Sequence, residues 1–224
     1  MTLVDLITDV RRQIDDVTEP YLWSDDEITD YLDEAEDALC EDALCLPDQE
    51  DLGYGASTGW LDLPQYIVQI RAVFDADGRQ VQLCNRAPWE ELVDYDGDYG
   101  MRVANRGWLT TTDNRVRALV TDLRVDQVRL YPIPTVAGTL TLDVFRRPRE
   151  SLTDRGELEL TDRKHQRLVV TKACALAYGK HDAEAYNPQM AQALDAEYRA
   201  GAEELLRATR RRRRHNGLVS YGGL

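Results

Sequence analysis

Residues 21–46 read YLWSDDEITDYLDEAEDALCEDALCL, and the spacing of their apolar side chains predicts one amphipathic helix. Ser24 followed by Glu27 is a capping box, in which each side chain satisfies a backbone N–H of the other residue at the start of a helix. The predicted apolar stripe follows helical spacing and consists of Ile28, Tyr31, Leu32, Ala35, Leu39, Ala43 and Leu46. We expect this stripe to pack against the rest of the chain.

The remaining surface of the predicted helix is acidic. Ten carboxylates occur between Asp25 and Asp42, and no Lys or Arg lies between Arg12 and Arg71. These acids therefore have no cation four residues away on their own helix. The surface is either solvated or made to meet, or to repel, something charged.

The acidic helix belongs to an acidic half of the chain. The formal charge of the 224 residues is −14; residues 1–100 carry 5 basic and 26 acidic side chains, and residues 101–224 carry 22 and 15. This asymmetry indicates that neighbouring copies could meet acidic side to basic side, or that the two ends face different partners. Chance clustering on solvated surfaces is the alternative.

Helical patterns flank the acidic helix and return near the end of the chain. Thr2 can cap a short amphipathic helix that runs to about Ile14. Asp162 can cap an Ala-rich helix, and Asn187 followed by Pro188 predicts the start of another. The apolar stripe predicted for this last helix consists of Met190, Ala191, Leu194, Tyr198, Ala202 and Leu205.

Between these helices, residues 58–147 alternate strand and turn patterns, and residues 48–59 have the composition of a loop. Three hairpins are expected. Residues 66–74 should turn at Asp75–Gly78 and return, residues 108–111 should pair with 117–120, and residues 127–131 should pair with 139–145.

The predicted fold class is α+β: a helical bundle from both chain ends, an inserted antiparallel β unit and a flexible C-terminal tail. The corresponding division is 1–47 with 161–209 for the helical core, 58–147 for the β domain and 210–224 for the extension. No run of about 18 apolar residues predicts a membrane span.

No motif of the sequence predicts an enzyme, and we expect no catalytic residue, metal or cofactor. The four cysteines lack CxxC spacing and are expected to be reduced and mostly buried. The segment Asp94–Asp98 lacks the Gly and Glu that an EF-hand needs at positions 6 and 12. His165, His181 and His215 have no partner at metal spacing.

The run Arg210–Arg214 is the strongest charged feature of the sequence. It could bind nucleic-acid phosphates, dock on an acidic protein surface or favour the C-terminal end of a helix through the helix dipole. Interleaved aromatic side chains are missing, so stacking on single strands is not indicated.

Three segments together resemble the head-to-tail adaptor (connector) proteins of tailed bacteriophages. They are YLWSDDEITDYLDEAEDAL, then LRVDQVRLYPIPTVAGTLTLDVFRRP, then LTDRKHQRLVVTKACALAYGKHDAEAYNPQMAQALDAEYRAGAEELL. The resemblance covers most of residues 1–209. It implies a structural virion protein that is made in the host cytoplasm and placed at the head–tail junction. Such adaptors form a ring of about twelve copies under the portal protein, bind tail or nozzle proteins on the other side and leave a channel for DNA.

The resemblance also assigns roles to residues. The portal-docking element would be the arginine run and the apolar tail side chains, namely Arg210, Arg211, Arg212, Arg213, Arg214, Leu218, Val219, Tyr221 and Leu224. An acidic channel wall would keep DNA from adhering, and its candidates are Asp25, Asp26, Asp30, Asp33 and Asp37. Two other functions stay open: a neck or tail-completion protein that does not contact the portal, and a DNA-binding packaging or regulatory protein that uses the arginine run.

Overall fold

The computed structural model describes residues 1–84, 110–180 and 186–214, with the backbone alone for 212–214. These residues form five helices and nine strands, so the predicted α+β class is confirmed. The chain divides into two compact units. The first consists of Met1–Leu46 and the described part of Arg146–Leu224, and the second is Pro47–Phe145.

The helices of the first unit begin where the predicted caps stand. The oxygens of Thr2, Ser24 and Asp162 accept backbone N–H groups of the first helical turns, and Asn187 does the same for Met190. One short helix capped by Ser151 was not predicted. The helices are α1 Leu3–Gln13, α2 Asp25–Ala43, α3 Leu152–Arg155, α4 Arg163–Gly179 and α5 Pro188–Arg214.

One apolar cluster holds the first unit together. The predicted α2 stripe is confirmed, because Ile28, Leu32, Ala35, Leu39 and Ala43 are fully buried, while Tyr31 and Leu46 pack at its edge. Helix α5 contributes Tyr198 and Ala202 as buried residues. Its predicted stripe is wrong at Met190, which lies in the first turn and is 45% exposed.

The linker between α1 and α2 is built around a buried arginine. The Arg11 guanidinium donates to the Asp16 carboxylate at 2.7 Å, to the Trp23 carbonyl at 2.9 Å and to Asp25 at 2.6 Å. It also stacks on the Tyr21 ring, 3.9 Å from the centroid. Because Asp16 accepts the backbone N–H groups of Leu22 and Trp23 as well, both ends of the linker are tied to one ion pair.

The second unit is a β structure that starts earlier than predicted. Residues 48–59, expected as a loop, contain most of the first strand, which pairs with the last one over its whole length. The strands are β1 Pro47–Tyr54, β2 Trp60–Asp62, β3 Ile67–Asp75, β4 Gln80–Cys84, β5 Thr112–Asp113, β6 Ala118–Arg124, β7 Gln127–Tyr131, β8 Ile133–Pro134 and β9 Gly138–Arg146.

Seven strands form one sheet in the order β1-β9-β3-β4-β6-β7-β2, and β5 pairs with β8. The prediction of a purely antiparallel unit is wrong, because β4 pairs with β6 in parallel and β5 pairs with β8 in parallel. The core of this unit is apolar and consists of Val73, Val81, Val116, Leu119, Val128, Leu130, Leu140, Leu142 and Val144.

Of the three predicted hairpins, the structure contains the first. The turn Asp75–Gly78 joins β3 to β4, and Gly78 has the positive φ of +74° that the turn requires. The predicted pairing of 127–131 with 139–145 is wrong, because β7 pairs with β6 and β2 while β9 pairs with β1. A tight turn with Asp126 at φ 57° makes β6 and β7 adjacent.

The pairing of residues 108–111 with 117–120 is not found among the described residues. Thr112 and Asp113 instead pair with β8. Residues 118–120 belong to β6, which pairs with β4 on one side and β7 on the other. Residues 108 and 109 lie outside the described residues, as do the acidic segment Asp94–Asp98, His181 and His215.

The chain enters and leaves the β unit at one place. Pro47 at the start of β1 pairs with Phe145 near the end of β9, and the backbone N–H of Arg146 donates to the carbonyl of Leu46 at 3.1 Å. Cross-strand side chains extend this pairing, since Thr141 donates to Asp51 and Gln49 donates to Asp143.

Candidate functional site

The acidic helix α2 takes most of its cations from the second half of the chain. Arg155 donates to the Glu36 carboxylate at 2.8 Å and lies 3.4 Å from Asp33. The Glu36 side chain is fully buried, and its second oxygen accepts the backbone N–H of Leu160 at 3.1 Å. Burial raises the pKa of Glu36, and the contact with Arg155 opposes that rise.

Asp33 has a second task beside this ion pair. Its carboxylate accepts the backbone N–H of Leu152 at 2.8 Å, at the first residue of α3. An acid there satisfies one of the N–H groups that a helix start leaves without a partner. Helix α2 therefore fixes the segment that leads from the sheet back to the helices.

Three further contacts join acids of α2 to residues from the second half of the chain. Arg147 lies 3.7 Å from Asp37 and 3.5 Å from Glu41. The Tyr198 hydroxyl of α5 donates to Asp42 at 2.8 Å. Arginines of the same chain therefore neutralise part of the acidic surface of α2.

The first turn of α2 combines the predicted capping box with an ion pair. Ser24 accepts the Glu27 N–H at 3.2 Å, and Glu27 accepts the Ser24 N–H at 3.0 Å. The Lys180 ammonium and the Ser24 N–H hold the pKa of Glu27 at about 2, below its ordinary value of 4.5.

We expect Glu27→Gln to lower the free energy of unfolding by no more than about 1 kcal/mol at neutral pH, because glutamine keeps the cap and loses the charge, and the pair is partly solvated. A carboxylate with a lowered pKa stabilises the fold above its unfolded value of 4.5 and loses this effect as pH falls toward 2. In urea unfolding at pH 7, 5 and 3, the difference in the free energy of unfolding between wild type and variant should therefore shrink as the pH falls. The control is Glu203→Gln on the surface of α5. A difference that does not change with pH would contradict the lowered pKa of Glu27.

The five acids predicted to face the channel have different surroundings. Asp25 pairs with Arg11, Asp33 with Arg155 and Asp37 with Arg147. Asp26 and Asp30 are exposed, and within residues 1–84, 110–180 and 186–214 no hydrogen bond or ion pair holds them. Their role in a channel stays a prediction.

The predicted portal-docking arginines lie at the end of a long helix. Helix α5 runs through Arg214, so the arginine run, predicted as the start of an extension, completes the helix. Arg210 and Arg211 are exposed. The tail side chains Leu218, Val219, Tyr221 and Leu224 lie outside the described residues.

Sequence reasoning missed the partners of the acidic helix. Arg147 and Arg155 lie more than 100 residues away from it along the chain. No local spacing marks such contacts; the one available signal was the surplus of cations in the second half of the sequence.

The described residues also bear on metal and redox chemistry. Within them, no group of three His, Cys, Asp or Glu side chains could hold a metal ion. All four cysteines are free thiols, and Cys40, Cys84 and Cys174 are buried, as predicted. Burial raises the pKa of Cys174 to about 12. None of the described helices has the length and apolar character needed to cross a membrane.

Comparison with known proteins identifies the family. A search of the curated proteins returned no match. The family model of the SU10 adaptor protein matches residues 1–220, nearly the whole chain. The resemblance inferred from the three sequence segments is thereby confirmed. The family is a structural one and not a class of enzymes. The chain belongs to the SU10 adaptor protein family, a family of bacteriophage head-to-tail adaptors located at the head–tail junction of the virion.

Proposed function

We propose that copies of this chain assemble as a ring of about twelve under the portal protein, join it to the tail and leave a channel through which DNA passes. The observation that carries the proposal is the family match over residues 1–220. A ring that docks on a portal takes its symmetry from that partner, so the free chain need not be oligomeric.

The C-terminal end of α5 is the proposed portal-docking element. Arg210 and Arg211 are exposed at the end of a 27-residue helix, where side-chain cations are also favoured by the helix dipole. In this proposal the arginine run makes charge contacts with the portal protein, and Leu218, Val219, Tyr221 and Leu224 make apolar ones.

An acidic channel wall is the second part of the proposal. Of the five candidate acids, Asp26 and Asp30 are exposed and without a cation partner in the described part of the chain, and the same holds for Glu34, four residues after Asp30 on α2. Asp25, Asp33 and Asp37 suit this role less, because arginines already neutralise them. Uncompensated carboxylates would repel passing phosphates.

Co-sedimentation with DNA-filled, tail-less phage heads tests the proposal. The full chain should bind the heads, and a chain that ends at Thr209 should not. A chain that ends at Arg214 separates the arginine run from the apolar tail. These truncations remove exposed or terminal residues, so unfolding of the free chain serves as a control that should change little.

The other outcomes point to the alternatives. If all three chains bind the heads, the protein is an adaptor that docks through another surface. If none binds heads but all bind purified tails, it is a tail-completion protein. If the full chain only shifts duplex DNA in a salt-sensitive way, the arginine run is a nucleic-acid site and the adaptor proposal is wrong.

A further inference from the structure

The linker between α1 and α2 and the first turn of α2 present an apolar and acidic surface, the linker patch, which consists of Val17, Glu19, Tyr21, Leu22 and Asp26. The three large apolar side chains are 55%, 44% and 52% exposed. Glu19 and Asp26 are exposed too, and in the described parts of the chain neither has an ion-pair or hydrogen-bond partner. Large apolar side chains grouped on an exposed loop are typical of protein contacts.

The linker patch is held rigid from below. Arg11 and Asp16 are 7% and 4% exposed, and they bind the backbone at Leu22 and Trp23 from the buried side. The buried ion pair therefore keeps the exposed apolar side chains of the linker patch in place. Such pre-organisation lowers the entropy lost when a partner binds.

A second surface of the same unit has the opposite charge. This α4 patch consists of Met1, Val4, Arg163, Lys164 and Arg167. Met1 is 42% and Val4 is 72% exposed, and Met1 shares a groove with Arg163 and Arg167. Asp5 and Asp9 line the same groove, where Asp5 accepts a hydrogen bond from Thr2 and Asp9 pairs with Arg12.

The three cations of the α4 patch do not stabilise their own helix. They occupy the first turns of α4, where the helix dipole disfavours positive charge. Across residues 1–84, 110–180 and 186–214, no carboxylate pairs with them. These cations are therefore available to the carboxylates of a partner.

The two patches lie at opposite ends of α1. Met1 and Arg163 line one groove at the start of α1, whereas the carbonyl of Val10, near the end of α1, lies 4.0 Å from the Cys174 thiol, 11 residues further along α4. With a rise of about 1.5 Å per residue, α1 separates them by about 16 Å. One chain therefore cannot join its own two patches. A contact between the two different patches instead links each copy to the next in the same orientation.

We propose that the linker patch of one copy docks on the α4 patch of the next copy. Apolar side chains meet apolar ones, and Glu19 and Asp26 meet Arg163, Lys164 and Arg167. The partner is a second copy of this chain, because its own surface offers the complementary charge and apolar groups. The inference deepens the proposed function and rests on it, since a repeated head-to-tail contact is the kind that closes a ring.

Crosslinking through introduced thiols tests this contact. The full chain carrying both Val4→Cys and Leu22→Cys is treated with a bismaleimide, free in solution and bound to tail-less heads. We expect a ladder of crosslinked copies in denaturing gels. Chains with either cysteine alone should give no ladder, which also controls for the half-buried Cys45.

Charge reversal then identifies the residues. Arg163→Glu with Arg167→Glu should reduce the ladder at least about tenfold, because like charges would face each other. Adding Glu19→Lys and Asp26→Lys to the same chain should restore it. Arg199→Glu with Arg207→Glu, two exposed arginines of α5, makes the same charge change elsewhere and should leave the ladder unchanged.

The outcomes separate the contact from the adaptor function. If the chain binds heads but gives no ladder, or gives a ladder that charge reversal does not reduce, the contact is wrong and the adaptor function stands. A charge-sensitive ladder without head binding supports the contact and overturns the adaptor function. Absence of both overturns both.

Discussion

Replacing Arg155 with methionine should lower the free energy of unfolding by about 3–5 kcal/mol, because it leaves a buried carboxylate without its cation. The Glu36 side chain is 0% exposed and lies 2.8 Å from the Arg155 guanidinium. Asp33 loses its neighbour in the same substitution. Denaturant unfolding at neutral pH measures the change.

Two variants control this prediction. Arg207→Met removes an exposed ion pair with Glu203 on α5 and should cost less than about 1 kcal/mol. Glu36→Gln combined with Arg155→Met should be more stable than Arg155→Met alone, because a neutral amide needs no cation. A loss below about 1 kcal/mol for Arg155→Met would contradict the assignment of a buried pair.

The same variant has a defined response to pH. Burial raises the pKa of Glu36 above its ordinary value of 4.5, and removal of Arg155 should raise it further. A carboxyl with a raised pKa is tolerated in the folded state when protonated and destabilises it as pH rises through that pKa. The deficit of Arg155→Met should therefore be smallest in acid and largest at neutral pH.

Replacing Tyr198 with alanine should cost about 3–5 kcal/mol, because the ring fills the contact between α5 and the helical core. Tyr198 is 1% exposed, and its hydroxyl donates to Asp42 at 2.8 Å. Tyr198→Phe keeps the ring and should cost only about 1 kcal/mol. Denaturant unfolding gives both values, and hydrogen exchange reports whether α5 detaches before the rest.

The control for Tyr198 lies on the same helix. Met190 is 45% exposed, and Met190→Ala should change stability by less than about 0.5 kcal/mol. If Tyr198→Phe were as costly as Tyr198→Ala, the hydroxyl contact with Asp42 and not the packing of the ring would hold α5.

Local chemistry explains which parts of the fold were predictable. The start of α2 follows from Ser24 and Glu27, three residues apart, and the structure has both hydrogen bonds of that capping box. The turn at Gly78 is equally local. In both cases the residues that determine the geometry are neighbours in sequence, so their spacing carries the signal.

Strand pairing depends on distant residues, and the predictions were wrong there. Residues 48–54 are too polar to indicate a strand by themselves, yet each finds its partner about 90 residues later in β9. At an edge strand, one row of side chains points to solvent, so acids such as Asp51 are tolerated. These acids obscure the alternation of apolar and polar residues that would predict a strand. Arg147 and Arg155, the cations that pair with the acids of α2, were unpredictable for the same reason.

The closure of the chain at Leu46 and Arg146 has a consequence for how such a protein can change over generations. Because these two residues are already hydrogen-bonded neighbours, the 99 residues of Pro47–Phe145 begin and end at one point of the helical unit. Lengthening, shortening or exchanging that insert alters a closed loop, whose entropic cost grows only with the logarithm of its length. Related phages could thus acquire a different β unit through recombination and keep the helical part unaltered.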